Sequence, residues 1–364
     1  MIKKKIIIAT GGTGGHVFPA YSLANYLKNK DYKVIITSDS RGSKYLKNYG
    51  NLDLRKIPSS PLIKTDFFKF FLSSLIIFFS IIRSFFFLLF NRPSIIVGMG
   101  GYSSFPVCIA ASILKIKFVI YENNLIIGKA NKYLLPFTKK IFVSYSDLEG
   151  ISEKYKHKVL EIGNVVRKEI LDFKFPDTYQ NKLAVLNILV LGGSQAAKIF
   201  GDELPEIFIK LKNSDIPIKV FQQCQRGQNK RISDIYQKHN IDHEIFNFTD
   251  KIINYYTKVN LVITRSGASV LGELINLKIP FISIPLPSSA DNHQYKNAEF
   301  YKKKNCGYLI NEKDIKYKLF DLILSLFKDK SLFVNILSNQ KQYSDKNIFK
   351  NLGIQLEKIL NEKN

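Results

Sequence analysis

Short, nearly uninterrupted apolar runs recur along the chain, each pair separated by enough residues for one helix. The first is "KIIIA" (5–9), followed by a glycine-rich turn and a helical pattern from about His16 to Leu27. "YKVIITS" (32–38), "SIIVGMGG" (94–101), "KFVIYE" (117–122) and "KIFVSY" (140–145) are runs of the same kind. Strands apolar on both faces that alternate with helices predict a parallel sheet covered on both sides. The pattern restarts at "LNILVLGGSQAA" (186–197) and continues through "PIKVFQQ" (217–223), "NLVITRSG" (260–267) and "PFISIPLP" (280–287). Between the two series lies "EIGNVVRKEILDFKF" (161–175). The expectation is therefore two doubly wound α/β domains joined near residue 167. A chain of 364 residues is long enough for each to have its own core. A last helical pattern, "NIFKNLGIQLEKIL" (347–360), is assigned no partner by periodicity alone.

One stretch stands apart. "KFFLSSLIIFFSIIRSFFFLLF" (69–90) is long enough to cross a bilayer. Arg83 interrupts it, at a cost of ~3 kcal/mol if placed at the bilayer centre. It also falls where the first sheet needs a crossover helix. Two readings stay open: a crossover helix buried in the domain, or one packed on the domain with an apolar face left for a membrane. A spanning helix would take the crossover away from the first domain. Flanking Lys64, Lys69, Arg83 and Arg92 suit an anionic surface, where each nearby cation adds ~1 kcal/mol.

Charge sharpens that picture. The net charge of +24 calls for an anionic partner: a membrane surface, a nucleic acid or a phosphorylated substrate. Only eight of the 54 basic residues are arginine, so most of the charge is diffuse lysine. The basic residues are spread evenly, without an RNP-like aromatic pattern or a basic helix, which argues against nucleic acid. Cys108, Cys224 and Cys306 lie far apart with no metal-like spacing, as expected of a reduced, cytosolic protein. The opening "MIKKKIIIAT" has too short an apolar run for a signal peptide and reads as a buried first strand.

The candidate chemistry lies in glycine turns. "ATGGTGGHVFPA" (9–20), "GMGGYSSFP" (98–106), "GGSQAA" (192–197) and "RSGASVLGE" (265–273) all follow predicted strands. Such turns bring backbone N–H groups close to an anion at a helix N-terminus. The first is neither a P-loop, lacking Lys-Ser/Thr, nor a GxGxxG turn, because Val17 occupies the third glycine position. Asp39 ends the second strand where a dinucleotide-binding protein places its ribose acid. Glycine loops at the strand ends of two such domains predict a cleft for two substrates, at least one phosphorylated. His16 stands at the start of the first helix, and histidine as a residue type titrates near neutral pH and can accept a proton. No Asp-x-Asp pair and no metal-like histidine arrangement occurs, so neither a metal site nor any cofactor is expected, and helix termini with arginine would neutralise a diphosphate instead.

Taken together, "GGTGGHVFPA", "GMGGYSSFP", "YENNLIIGKANK", "GNVVR", "GGSQAA" and "RSGASVLGELINLKIPFISIPLP…DNHQYKNA" resemble the MurG family of peptidoglycan N-acetylglucosaminyltransferases, in order from residue 6 to about 310. The resemblance implies a GT-B fold, α/β with two Rossmann-like doubly wound domains facing a cleft. It implies an acceptor- and membrane-binding domain over 1–167, a UDP-sugar-binding domain over 168–343, and a C-terminal helix over 344–364 returning to the first. It implies inverting transfer of N-acetylglucosamine from UDP-N-acetylglucosamine to the 4-hydroxyl of lipid I, the polyprenyl-diphosphate-linked muramoyl-pentapeptide, giving lipid II. The enzyme would sit peripherally on the cytoplasmic face of the inner membrane.

By the same resemblance His16 and Glu122 are candidate catalytic residues, and Tyr102 lies on the acceptor side. Thr13, Gly14 and Gly15 would lie beside the donor, with Asn124, Arg167 and Ser194 contacting it. Thr249 would meet uracil through its backbone. Ala268, Ser269, Val270, Leu271, Gly272 and Glu273 would wrap the nucleotide, Glu273 taking the ribose hydroxyls, and Gln294 would hold sugar hydroxyls. Tyr121, Asn123, Val165, Gly201 and His293 depart from the family pattern, which usually has His, Gln, Pro, Asn and Gln there. "SGASVLGE" also differs from the usual "SGALTVSE". Two other readings compete: a related transferase with another lipid acceptor, and a binding subunit with a decayed site.

Overall fold

The computed structural model describes residues 4–362 apart from 48, 51, 63–65, 175–183, 194–195 and 345. The chain divides into two compact units, Met1–Arg167 with Lys346–Asn364, and Lys168–Asp345.

The first unit holds a seven-stranded parallel sheet of β1 (Lys5–Ala9), β2 (Lys33–Ser38), β3 (Asp53–Lys56), β4 (Ile95–Gly98), β5 (Phe118–Glu122), β6 (Ile141–Val143) and β7 (Val159–Glu161). The strands lie in the order β3-β2-β1-β4-β5-β6-β7. The helices are α1 (Gly14–Lys28), α2 (Ser40–Leu46), α3 (Phe67–Asn91), α4 (Phe105–Ile113) and α5 (Lys129–Leu134). Ile7, Ile35, Ile96, Phe118, Ile120 and Ile141 form one face of the core, which is why the central strands are apolar without alternation.

The second unit repeats the plan in six parallel strands: β8 (Leu186–Leu191), β9 (Ile218–Gln223), β10 (Asp242–Phe246), β11 (Leu261–Thr264), β12 (Phe281–Ser283) and β13 (Tyr308–Leu309), in the order β10-β9-β8-β11-β12-β13. Its helices are α6 (Lys168–Asp172), α7 (Lys198–Asn213), α8 (Asn229–Lys238), α9 (Ile253–Tyr256), α10 (Ala268–Leu277), α11 (His293–Lys303), α12 (Ile315–Lys328) and α13 (Lys330–Tyr343). The last helix, α14 (Ile348–Asn361), belongs to the first unit and packs on α1, with Phe349 stacked 5.6 Å from Tyr26. Both sheets have the doubly wound order in which the progression of strands reverses beside the first strand, so ligands are expected at the loops leaving the two strands on either side of that point.

α3 is the crossover between β3 and β4, but it is not buried. Its inward stripe is Ser73, Ser80, Ser84 and Leu88, and the helix packs on α4. The inward serines satisfy themselves on the preceding turn: Ser80 Oγ donates to Ile76 O and Ser84 Oγ to Ser80 O, at 2.6 and 2.7 Å. Most of its phenylalanines point outward, with Phe67, Phe78, Phe79 and Phe90 exposed by 88%, 58%, 63% and 82%, while Phe85 and Phe87 pack against the core. The reading of α3 as a buried crossover is therefore corrected. Over its first two-thirds the side-chain polarity is inverted relative to a surface helix of a globular protein: small and polar inside, aromatic outside. The helix is long and apolar enough to cross a membrane by length and composition. Asp66 caps its start through Lys69 N–H (2.9 Å), and Arg92 ends it in the left-handed region before Pro93.

Candidate active site

In the first unit the direction of strand order changes between β1 and β4, and the two predicted glycine turns leave those two strands. The turn after β1 passes through Gly11 and Gly12 at φ 154° and 77°. Asp39, at the end of β2, holds it in place. Its Oδ1 accepts from Gly12 N–H (2.9 Å) and Gly42 N–H (2.8 Å), and the residue is buried. The acid that a dinucleotide-binding protein would direct at ribose is here a brace for the turn. A Cβ on Gly11 would lie 2.6 Å from this carboxylate, so a larger residue has no room.

The same turn delivers His16. Its Nδ1 lies 3.0 Å from Met99 O, in the turn after β4. A carbonyl oxygen only accepts, so Nδ1 carries a proton, and in the neutral imidazole Nε2 carries the lone pair. Met99 is itself tied to the sheet through its N–H to Ala9 O (2.8 Å). Gly100 and Gly101, at φ 84° and 71°, cover the ring, and a Cβ on Gly100 would be 3.3 Å from His16 Cε1. The two glycine turns thus build one object: an imidazole held in the tautomer a general base requires.

Tyr102 follows in the second turn. Its hydroxyl is buried and has no hydrogen-bond partner among the described residues. A Cβ on Gly12 would be 3.8 Å from it. The Arg41 guanidinium lies over the Tyr102 ring at 5.2 Å and pairs with Asp39 at 3.7 Å. Arg41 was not singled out from sequence. The available signal was its place among only eight arginines, three residues past the end of a strand. Arg167 lies over the Phe18 ring at 4.5 Å, and a Cβ on Gly14 would meet that ring at 2.8 Å. Thr13, Gly14, Gly15, His16 and Arg167 therefore gather around the start of α1.

Glu122 departs from the expectation of a catalytic carboxylate. It is buried at the end of β5, and its four lone-pair directions are taken by Asn124 N–H (3.1 Å), Asn124 Nδ2 (3.0 Å), Gly128 N–H (2.9 Å) and Asn131 Nδ2 (2.9 Å). It organises the 122–131 segment. Asn124, expected at the donor, spends its side-chain amide on that carboxylate and on Asn123 Oδ1 (3.1 Å).

In the second unit the reversal lies between β8 and β11, again where two glycine turns emerge. The first contains Gly192, whose N–H donates to Gln223 Oε1 (3.1 Å), and Gly193 at φ 83°. Ser194 lies outside the described residues. The second turn leads into α10 through Gly267, with no side-chain cap. Ala268 opens that helix, and Ser269 and Val270 are half-buried. Leu271 is fully buried and Gly272 is buried too, so the Leu271 side chain is core and only the backbone of these two residues is available to a nucleotide. Glu273 is buried and accepts a hydrogen bond from Tyr256 Oη at 3.0 Å. Thr249 lies past the end of β10, its hydroxyl accepting from Lys251 N–H (3.1 Å). Gln294, on α11, accepts through Oε1 from Ser266 N–H (3.2 Å) and Leu286 N–H (2.9 Å), so only its amide nitrogen can face a sugar.

Arg265 was also missed as an individual residue. It is buried beside the second turn, donates to Ile284 O and Pro285 O (3.2 Å each), pairs with Glu312, and lies 4.8 Å over Phe200. It ties together the segments that follow β11, β12 and β13. A cavity of about 640 Å³ lies beside it, lined by Glu203, Tyr295, Glu312 and Lys316 among others, and includes none of the predicted site residues.

Two departures from the family pattern carry their own compensation. Tyr121 Oη accepts from Val165 N–H (2.8 Å) and pairs with Ser144 Oγ (2.8 Å). Proline at 165 would have no N–H to give, so the tyrosine and the valine form a matched pair. Burial pushes the Tyr121 hydroxyl up from its ordinary pKa, which keeps it a neutral donor and acceptor. At Gly201 the missing side chain is replaced in space by Gln228, whose atoms lie 2.6 Å from where a Cβ would be. Gln228 Nε2 donates to Lys198 O and Asp202 Oδ1 (3.1 Å each). Asn123 Nδ2 still reaches Gly15 O, at 3.4 Å. At His293, Nδ1 bonds Ala290 O (2.8 Å), and nothing in the structure explains the histidine there.

Comparison with known proteins agrees with this geometry. Residues 6–143 match the glycosyltransferase family 28 N-terminal domain, and residues 187–352 the family 28 C-terminal domain. A Pelagibacter ubique protein named UDP-N-acetylglucosamine–N-acetylmuramyl-(pentapeptide) pyrophosphoryl-undecaprenol N-acetylglucosamine transferase is 34% identical over 362 residues, covering 99% of this chain and 100% of that one. A Rickettsia felis protein of the same name is 34% identical, covering 93% and 96%. The crystal structure of Acinetobacter baumannii MurG superposes with a TM-score of 0.77 at 22% identity, over 98% of this chain and 99% of that one, and shares the GT-B fold. With both family 28 domains present and full-length relatives at this identity, the chain belongs to the MurG family of glycosyltransferases.

Proposed function

We propose that this protein transfers N-acetylglucosamine from UDP-N-acetylglucosamine to the 4-hydroxyl of the muramoyl-pentapeptide of lipid I, with inversion, giving lipid II. The observation that carries the mechanism is the 3.0 Å contact of His16 Nδ1 with Met99 O, which directs the lone pair of the neutral ring to Nε2. His16 Nε2 takes the proton from the acceptor hydroxyl as its oxygen attacks C1 of the sugar. The C1–O bond to the diphosphate breaks on the opposite face, UDP leaves with the electron pair, and the new linkage is β. Arg167, beside the start of α1, meets the charge of the departing diphosphate. The buried, unpartnered Tyr102 hydroxyl is the acceptor contact in this reading, with Arg41 beside it for the acceptor's own diphosphate. Glu122 acts by positioning the 122–131 segment. Leaving-group charge is met by helix termini and arginine, so turnover survives a chelator.

The acceptor is lipid-linked, and the aromatic face of α3 supplies the membrane contact. With Phe67, Phe78, Phe79 and Phe90 already in water, immersing them in the headgroup and acyl boundary needs no rearrangement of the core. Arg83 lies exposed on the helix and can reach the headgroups. Interfacial docking keeps the contact of α3 with α4, which a spanning orientation would break. The enzyme then works peripherally, at the cytoplasmic face of the inner membrane. A panel of acceptors tests this reading: lipid I analogue should be glycosylated and diacylglycerol should not. Equal transfer to both, or to diacylglycerol alone, would assign a different acceptor.

A further inference from the structure

Glu273 is held by a second buried side chain. Its Oε2 accepts from the hydroxyl of Tyr256 at 3.0 Å, and the two residues are only 5% and 1% exposed. Tyr256 closes α9 immediately before β11, and Glu273 lies on the helix immediately after it, so the strand holds both at fixed separation. A carboxylate can only accept here, so the phenol donates its single proton. A glutamate side chain has three torsions, and a tyrosine ring only two before its hydroxyl. A hydrogen bond from the buried ring therefore sets the plane of the carboxylate, and with it the direction from which a vicinal diol is received.

We propose that Tyr256 is a positioning residue for recognition of the donor's ribose, and that the Tyr256–Glu273 bond sets discrimination between a nucleotide with a 2′-hydroxyl and one without it. This rests on Glu273 being the ribose acceptor. A site built to bond a hydroxyl rejects the analogue lacking it, because its own polar group is left unmatched. Removing the phenol hydroxyl leaves the carboxylate in place and takes away the bond that Tyr256 contributes to its orientation.

The test is titration calorimetry of the full chain with UDP and with 2′-deoxy-UDP. In Tyr256→Phe the preference for UDP over 2′-deoxy-UDP should fall about tenfold, the size of one hydrogen bond to a charged group. Affinity for 2′-deoxy-UDP should stay within about twofold, which a general loss of structure would not permit. Glu273→Gln should lower the same preference, and adding Tyr256→Phe to it should lower it no further. An unchanged preference in Tyr256→Phe alone, with Glu273→Gln still effective, would overturn the positioning role and leave the ribose reading standing. An unchanged preference in Glu273→Gln would overturn both. Loss of both nucleotides in Tyr256→Phe would show that the phenol holds the fold rather than the plane of the carboxylate, and would overturn the positioning role.

Discussion

Replacing Phe78 and Phe79 together by serine separates the membrane role of α3 from its structural role. The two rings are 58% and 63% exposed, so more than half of each is in water before any lipid arrives. Complete burial of such a side chain contributes ~1.5–3 kcal/mol, so immersing the exposed fraction contributes ~1–2 kcal/mol per ring. The pair then supplies ~2–4 kcal/mol of membrane affinity, and its loss lowers the partition coefficient by a factor of about 30 to 1,000. Folding stability should change by no more than about 0.5 kcal/mol, because neither ring is core. Sedimentation with vesicles containing anionic lipid reads the first quantity, and thermal unfolding without lipid reads the second. Ser80→Leu on the inward stripe should do the reverse, destabilising by ~1–3 kcal/mol through overpacking against α4 while vesicle binding persists. Unchanged vesicle binding by Phe78→Ser/Phe79→Ser would refute the reasoning. So would a large loss of stability, since it would mean that the rings are packed.

Three further outcomes are expected. His16→Ala should lower the rate of transfer by at least about 100-fold with the Michaelis constant for UDP-N-acetylglucosamine little changed, as loss of a general base requires; a rate within threefold of the parent would remove His16 from the chemistry. Val165→Pro deletes the N–H that bonds Tyr121 and should cost ~1–2 kcal/mol in denaturant unfolding, whereas no loss would show that the Tyr121–Val165 pair is incidental. Burial pushes the thiols of Cys108, Cys224 and Cys306 up to about 12, so all three are neutral at pH 8 and should resist iodoacetamide until the chain unfolds; rapid labelling of the native protein would contradict their placement.

What the sequence made legible follows from where apolar residues were needed. Every strand recognised from an apolar run is interior to its sheet: β1, β2, β4, β5 and β6, then β8, β9, β11 and β12. The four strands not recognised, β3, β7, β10 and β13, are the four sheet edges. Edge strands such as "DLRK" (53–56) and "DHEIF" (242–246) are short and charged, as an edge must be to avoid pairing with another chain, and so they lack the signal being read. The helix after the first glycine turn starts at Gly14 rather than His16, because glycine weakens a propensity signal without preventing the turn from closing. α3 misled for a different reason. Its total hydrophobicity masked its phase, although the serines at 73, 80 and 84 already mark the inward face at helical spacing.

The site was legible as motifs more than as roles. The four glycine turns do flank the two points where strand order reverses, which their positions after predicted strands anticipated. That Glu122 serves its own loop, and that Leu271 belongs to the core, depends on hydrogen bonds and burial that no spacing encodes. Arg41 and Arg265 were invisible as individuals because their partners, Tyr102 and Glu312, are distant in sequence.

The central claim is the reaction itself. Purified protein would be incubated with radiolabelled UDP-N-acetylglucosamine and a short-chain lipid I analogue in the presence of chelator, and the lipid fraction analysed for label and for the anomeric configuration of the new linkage. The account predicts label in the lipid as a β-linked N-acetylglucosamine on the 4-hydroxyl of the muramoyl residue. An α linkage, or UDP binding without any label reaching the lipid, would contradict it.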